Sequence, residues 1–377
     1  MLLESIELVN FRSFEKASFK VLPDTTIICG KNASGKTSII EAIAMLIRLE
    51  SFRSQDVHST ISHGHQSSNI KAKFLRRYQT TSSDQDSRST PEREVETEYS
   101  VRFDRSARRK IYRNSQLITK TKDYLGELSC IVFTPDDLQI IKGGPAYRRL
   151  LLDEAMSALT FRWISKKIEF EHALKQRTRL LKNFVGKLTA EDKINLDIWD
   201  ERFASAGEAL ALAREEIVNI LREEVINAYE SLAVNSTIEI NYLRSWDGNL
   251  FEALLASRDT DIRLGTSSIG PHRDDLSILL NGLPSRTHAS QGEQRSLVLA
   301  LKLGITKLVT QLRKTENLAS PILLLDDVFS ELDPERIENL LISLPSKQSI
   351  ITTTAITNGP ICTYDVIQLA MPPEIHQ

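Results

Sequence analysis

The segment Gly30-Lys31-Asn32-Ala33-Ser34-Gly35-Lys36-Thr37 constrains this chain more than any other feature, because it fits GxxxxGK[ST] at each fixed position. An apolar run, Thr25 to Cys29, leads into it, and behind it Ile39, Ile40, Ile43, Leu46 and Ile47 recur at helical spacing. Strand, glycine loop and helix in that order make an anion cradle. Successive loop N–H groups and the helix N-terminus face phosphate oxygens, Lys36 neutralises β and γ oxygens, and Thr37 ligates Mg²⁺. We therefore expect Gly30, Lys31, Asn32, Ala33, Ser34, Gly35, Lys36 and Thr37 to hold a nucleoside triphosphate.

The matching half of such a site is a buried strand ending in carboxylates, and Ile322-Leu323-Leu324-Leu325-Asp326-Asp327 has that form. Asp326 is the expected metal-side carboxylate, holding Mg²⁺ through water, and Asp327 the general base that orients or deprotonates water; with Lys36 they are the candidate catalytic residues. Upstream, Ser290-Gln291-Gly292-Glu293-Gln294 opens a helix whose Leu297, Leu301, Ile305, Leu308 and Leu312 share a face. It resembles the Ser-Gly-Gly-Gln signature of ABC-type ATPases, and a polar N-cap with a glycine is the plainer reading of Ser290 alone. The order signature, helix, acidic strand and then Ser330-Glu331-Leu332-Asp333, which looks like the D-loop of that superfamily, favours the signature. The resemblance implies ATP and Mg²⁺ as cofactors. It also implies a dimer in which Ser290, Gln291 and Gly292 of one copy close on the ATP held by the P-loop of another.

Around these motifs the composition changes along the chain. Period-two alternation marks antiparallel strands over about 70–113, with a polar hairpin tip between at Gln79 to Arg93. From near Tyr147 to about Ala233 runs a Leu-, Ala-, Lys-, Arg- and Glu-rich stretch without a proline. The expected architecture is α/β: an ABC/SMC-type P-loop ATPase head (1–145 and 235–377) with an antiparallel β subdomain and an inserted helical lobe (146–234). At 377 residues the chain is long enough for that. With 48 Lys plus Arg against 50 Asp plus Glu, no global field points to nucleic acid, so any such surface must be local. Cys29, Cys130 and Cys362 lack metal spacing, and no apolar run approaches a membrane span, so a soluble cytoplasmic protein is expected.

Further segments resemble the bacterial RecF family: Asn10-Phe11-Arg12-Ser13, Ser51-Phe52-Arg53, Phe133 to Leu138 with Lys142-Gly143, and Arg148-Arg149 with Leu152-Asp153. So do Gly270-Pro271-His272-Arg273-Asp274-Asp275, Ser290 to Ser296 and Leu324 to Asp333, so the likeness spans nearly the whole chain. The resemblance implies an SMC-type head without a long coiled coil, which binds single-stranded and duplex DNA and gap junctions and dimerises on ATP. With RecR and RecO it would help place RecA at single-strand gaps, in replication-fork maintenance, recombinational repair and SOS induction. Slow, DNA-dependent ATP hydrolysis would act as a timer. Two departures stand out: Ala33-Ser34 where the family more often has Gly and a polar residue, and Thr352-Thr353-Thr354 where ABC transporters keep a switch histidine. Thr352 or Thr353 is the candidate for that position.

Other readings stay open at this point. Gln139 is a candidate Mg²⁺-sensing glutamine; Arg12 and Arg53 either reach the nucleotide or are surface arginines. His272, Asp274 and Asp275 fit structural or nucleotide-proximal roles better than metal ligation, and His63 and His65 read as solvated loop residues. For DNA, Lys71, Lys73, Arg76 and Arg77 on one strand and Arg105, Arg108, Arg109, Lys110 and Arg113 near another could neutralise phosphates, or simply be a solvated face. A transporter ATPase would carry the switch histidine, a chromosome-organising SMC relative would need sustained heptads, and a small-molecule P-loop kinase would lack the signature.

Overall fold

The computed structural model of the chain describes residues 1–79, 92–183, 189–232, 236–344, 347–354 and 365–369. The expected hairpin tip therefore lies outside the described residues but for its ends. The chain divides into two compact units, Met1–Pro135 with Val309–Gln377, and Asp136–Leu308. This grouping differs from the expected division: the second unit holds not only the helices of 146–234 but also the strands and signature segment that follow.

The first unit begins with β1 (Leu2–Phe11), β2 (Phe14–Lys20), β3 (Thr25–Cys29), α1 (Lys36–Arg48), β4 (Ser67–Gln79), β5 (Glu92–Asp104), β6 (Lys110–Arg113), β7 (Gln116–Ile118) and β8 (Cys130–Phe133). β1 buries Leu3, Ile6, Leu8 and Phe11, and its step of three between Leu3 and Ile6 coincides with a register shift against β4. A bulge there returns Leu3 to the face of Ile6 and Leu8, and the second step of three, from Leu8 to Phe11, passes through Asn10 at φ 52.

The second unit contains α2 (Gln139–Lys142), α3 (Pro145–Ala158), α4 (Phe161–Asn183), α5 (Ala190–Leu232), β9 (Ile238–Leu243), α6 (Leu250–Leu264), β10 (Asp275–Leu280), β11 (Leu283–Pro284) and α7 (Ser285–His288). It also holds most of α8 (Gln291–Thr315), whose last turns belong to the first unit. Its strands form a three-stranded antiparallel sheet, β11-β10-β9. Asn249 caps α6 by accepting from the Phe251 and Glu252 N–H groups, and Gly265 ends it at φ 63.

The first unit resumes with β12 (Ile322–Leu325), α9 (Pro334–Ser343), β13 (Gln348–Thr353) and β14 (Asp365–Gln368). Two sheets result: a six-stranded antiparallel one, β2-β1-β4-β5-β6-β7, and a five-stranded parallel one, β14-β3-β13-β12-β8. α1 belongs to one buried cluster with residues of both, among them Leu8, Ile70 and Val101 of the first and Val132, Leu324 and Ile350 of the second. That explains why α1 is apolar nearly all round, with Ala42, Ala44 and Met45 buried beside the five expected positions. Each large aliphatic side chain so buried contributes about 1.5–3 kcal/mol, which anchors the P-loop at one end. Among the described residues no helix is long and apolar enough to cross a membrane.

Candidate functional site

The carboxyl ends of β3, β12 and β13 lie together because the parallel ladder pairs Leu325 with Ile351 and Thr353 with Cys29. In open α/β sheets that edge is where ligands bind. The P-loop leaves β3 there, tied to its neighbour by the Gly30 N–H donating to the Thr353 carbonyl at 3.2 Å. Lys36 is 7% exposed, and its ammonium donates to the carbonyls of Gly30 at 2.6 Å and Lys31 at 2.8 Å. The third N–H of that ammonium remains for a ligand. Gly35 stands at φ 94, and a Cβ on it would meet the Phe14 ring at 2.5 Å. Ala33 takes φ 66, a left-handed posture that costs a non-glycine residue about 1–2 kcal/mol. Ala33 thus holds the loop's curl at a local cost. Ser34 is buried and its Oγ has no partner among the described residues, an orphan polar atom suited to an anion's oxygen.

Asp326 and Asp327 follow β12, which is buried throughout. Asp326 is 5% exposed; its Oδ1 accepts from the Thr37 hydroxyl at 3.0 Å and the Thr352 hydroxyl at 2.7 Å. Burial raises its pKa above the ordinary carboxylate value, and the charge of Asp327 adds to this, while the two hydroxyls oppose it. Thr37 and Asp326 offer hard oxygens side by side on a carboxylate that gains from a cation, so the donor set fits Mg²⁺. Asp327 sits at φ 49; its N–H donates to Thr352 Oγ1 at 2.9 Å, and Ser330 Oγ donates to its Oδ2 at 3.0 Å. Its Oδ1 is buried without a partner among the described residues.

Arg12 and Arg53, open on sequence grounds, both turn to Glu41 of α1. Arg12 Nε and Nη2 donate to the Glu41 carboxylate at 2.9 and 2.5 Å, Ser51 Oγ at 2.6 Å and Arg53 Nη1 at 3.4 Å. Glu41 is fully buried, which a carboxylate tolerates only with such donors. Sequence reasoning missed it, although a lone acid inside an apolar helix is a visible signal. Beside it lies an open cleft of about 500 Å³ lined by Arg12, Ser38, His58, His63 and Arg105, among others. His63 is thus part of a cleft wall next to the P-loop helix.

In the second unit, Ser290, Gln291 and Gly292 open α8. The Glu293 N–H donates to Ser290 Oγ at 3.3 Å and the Ser290 N–H to Glu293 Oε2 at 2.7 Å, a reciprocal capping box. Ser290 is exposed, so the N-cap role leaves its hydroxyl proton facing solvent. Gln139, at the start of α2, is exposed as well. His272, Asp274 and Asp275 are engaged within the unit: Asp275 accepts a two-point contact from Arg148 at 2.6 and 3.0 Å, and Asp274 accepts from Tyr242 Oη at 2.5 Å and the Ser245 N–H at 2.8 Å. His272 Nε2 donates to the Ser267 carbonyl at 3.1 Å, and burial pushes the ring's pKa down to about 4.

The basic clusters divide. Lys71 pairs with Glu98 at 2.7 Å and Lys73 with Glu96 at 3.0 Å across β4 and β5, and Arg113 pairs with Glu127 at 2.5 Å. Arg109 donates to the Leu49 carbonyl and Arg105 to that of His65. Arg108 and Lys110 stand exposed around the start of β6.

A parallel sheet delivering a P-loop and an acidic strand end to one edge, with an antiparallel sheet across the P-loop helix, defines an SMC-type ATPase head. A family model described as RecF/RecN/SMC N terminal domain matches residues 2–362. The chain belongs to the RecF family. It is 32% identical over 376 residues to the DNA replication and repair protein RecF of Lachnoclostridium phytofermentans, covering 98% of each chain. It is also 32% identical to the RecF of Agathobacter rectalis, covering 94% of this chain and 93% of that one. Among solved structures, the recombination mediator protein RecF-ATPrS of the RecFOR pathway superposes with a TM-score of 0.83 at 26% identity, covering 98% of this chain and 96% of that one. The Smc head domain from Pyrococcus furiosus, at 16% identity and TM-score 0.54 over 98% of this chain and 94% of that one, shares the fold.

Proposed function

We propose that this chain binds ATP with Mg²⁺ at the Gly30–Thr37 loop, dimerises around it, and uses slow hydrolysis to time its residence on DNA during recombinational repair and replication-fork maintenance. The observation that carries this reading is the contact at 3.0 Å between Thr37 and Asp326, residues 289 positions apart in sequence that the fold brings to one sheet edge. Lys36 holds β and γ oxygens, and the Asp327 carboxylate takes the proton of the attacking water. Mg²⁺, held by Thr37 directly and by Asp326 through water, would neutralise charge developing on the phosphate oxygens. Ser290, Gln291 and Gly292 of a second copy complete the phosphate cradle, and loss of the γ-phosphate opens the dimer. The solved relatives named for RecF with ATP and for the RecFOR pathway support ATP as the nucleotide. RecO and RecR are the proposed partners and RecA loading at single-strand gaps the proposed outcome, in the cytoplasm, with the helical segment 146–234 as a lobe.

DNA contact falls to exposed cations with no carboxylate partner among the described residues. Since Lys71 and Lys73 are neutralised by Glu98 and Glu96, Arg108 and Lys110 are the better candidates. The test is binding to gapped duplex DNA with ATP, ADP or no nucleotide, alongside sedimentation, for wild type and Lys36→Ala. ATP-dependent binding and dimerisation, both lost in Lys36→Ala, are expected; a species that stays monomeric in saturating ATP would sink the proposal.

A further inference from the structure

Thr352 stands at the end of β13, fully buried, and one hydroxyl serves both acidic residues. It donates its proton to Asp326 Oδ1 at 2.7 Å and accepts the Asp327 N–H at 2.9 Å. The second contact lands on a residue in the left-handed region. Asp327 sits at φ 49, a left-handed posture that an aspartate keeps only when its surroundings hold it. Ser330 stands on the other side, its single hydroxyl proton within reach of the Asp327 carbonyl at 2.8 Å and of Oδ2 at 3.0 Å. With the N–H engaged and the carbonyl and Oδ2 sharing the one Ser330 proton, Oδ1 is the Asp327 carboxylate oxygen that is buried and without a partner among the described residues.

A threonine hydroxyl has a single proton. Here it is committed to Asp326, and the Asp327 N–H occupies the acceptor side, so donating to a γ-phosphate would require breaking the bond to Asp326. Thr353 is placed differently: its carbonyl accepts the Gly30 N–H and so ties β13 to the P-loop. We propose that Thr352 is a positioning residue that joins the metal-side and water-side carboxylates into one rigid pair, leaving Asp327 Oδ1 as the acceptor for the proton of the attacking water. This rests on the ATP-hydrolysis reading above. In that reaction the water oxygen bonds to the γ-phosphorus, the bond from phosphorus to the β–γ bridging oxygen breaks with its electron pair departing on ADP, and the water's proton passes to Asp327 Oδ1. A loosened Asp327 leaves ATP bound and slows this step, because misplacing a reacting group by about 1 Å costs roughly 100-fold.

The experiment compares wild type, Thr352→Val, Thr352→Ser, Asp327→Asn and the Thr352→Val/Asp327→Asn double variant for ATP affinity by nucleotide titration and for kcat by phosphate release. Valine keeps the branched shape and removes the hydroxyl; serine keeps the hydroxyl. The expected result is a kcat about 10- to 100-fold lower in Thr352→Val, with ATP affinity within about 3-fold of wild type (under ~0.7 kcal/mol). Thr352→Ser should recover most of kcat, and the double variant should be no slower than Asp327→Asn alone. Unchanged kcat in Thr352→Val overturns the proposal, as does a loss of ATP affinity matching the loss of kcat, which would make Thr352 a phosphate contact. If Thr352→Val does not fold, Thr352→Ser still decides: loss of kcat with the hydroxyl retained overturns the proposal. Failure of wild type itself to bind or hydrolyse ATP would sink the parent reading instead.

Discussion

His272 shows how a single buried ring couples this protein to pH. Its imidazole is packed against Phe170 and Phe203 with ring centroids 6.0 Å away, faces the charges of Arg273, Arg149 and Arg177, and has its pKa pushed from the ordinary 6.5 to about 4, chiefly by burial. The unfolded chain therefore binds a proton at this position between about pH 6.5 and pH 4 that the folded chain refuses. Stability from this group is present in full above pH 6.5 and is lost as pH falls toward 4. Allowing for the ring's partial exposure, the loss is on the order of 2 kcal/mol. Urea midpoints of wild type and His272→Gln across that window should converge as pH falls; parallel curves would show that the ring does not carry the effect.

The start of α8 combines two roles that the segment Ser290 to Glu293 left in competition. The capping box satisfies the helix end from within the chain, while the exposed hydroxyl and the helix N-terminus remain open to an anion. Ser290→Asp separates the two. An aspartate accepts the same N–H bond and suits a helix N-terminus, so thermal stability should change by less than about 0.5 kcal/mol. Its charge repels a phosphate, so ATP-dependent dimerisation measured by sedimentation should be lost, whereas a variant that dimerises normally would limit Ser290 to capping. The strands β4 and β5 teach a related lesson. A run of lysines at period two reads as a basic face, but the neighbouring strand supplies Glu98 and Glu96 one diagonal step away, and each lysine is paired.

Across the second unit, buried charge rather than apolar packing alone ties distant segments together. Arg177 of α4 is fully buried and donates to Asp200 of α5 at 2.6 Å, Asp261 of α6 at 2.7 Å and Ser267 Oγ at 2.7 Å. Arg214 of α5 donates to Asp153 of α3 at 2.7 Å and to the Pro271 carbonyl at 2.8 Å. Removing Arg177 leaves Asp261 with only the Ser268 N–H and hydroxyl as donors among the described residues, and Asp200 with Arg258 alone. Arg177→Met should therefore lower unfolding stability by about 3–5 kcal/mol, read as a lower urea midpoint of the full chain. Adding Asp261→Asn, which leaves the Asp200–Arg258 pair intact, should recover part of it, and a loss below about 1 kcal/mol would show that the cluster is not a tie.

Local order was readable in the residues themselves: strand, glycine loop and helix at Thr25 to Leu49, and the apolar strand ending at Asp326, because each depends on periodicity and on residue types with few alternatives. The antiparallel strands over about 70–113 were legible for the same reason. Pairing across the chain was not. Which hydroxyl meets Asp326, that Glu41 gathers Arg12, Arg53 and Ser51, and that Lys71 and Lys73 are neutralised all depend on strand register and on which helix faces which sheet. Nor could spacing say that the strands after the long helices would pack with them, since compactness follows from contacts between residues remote in sequence. A buried charge finds its partner only once the fold excludes water around it.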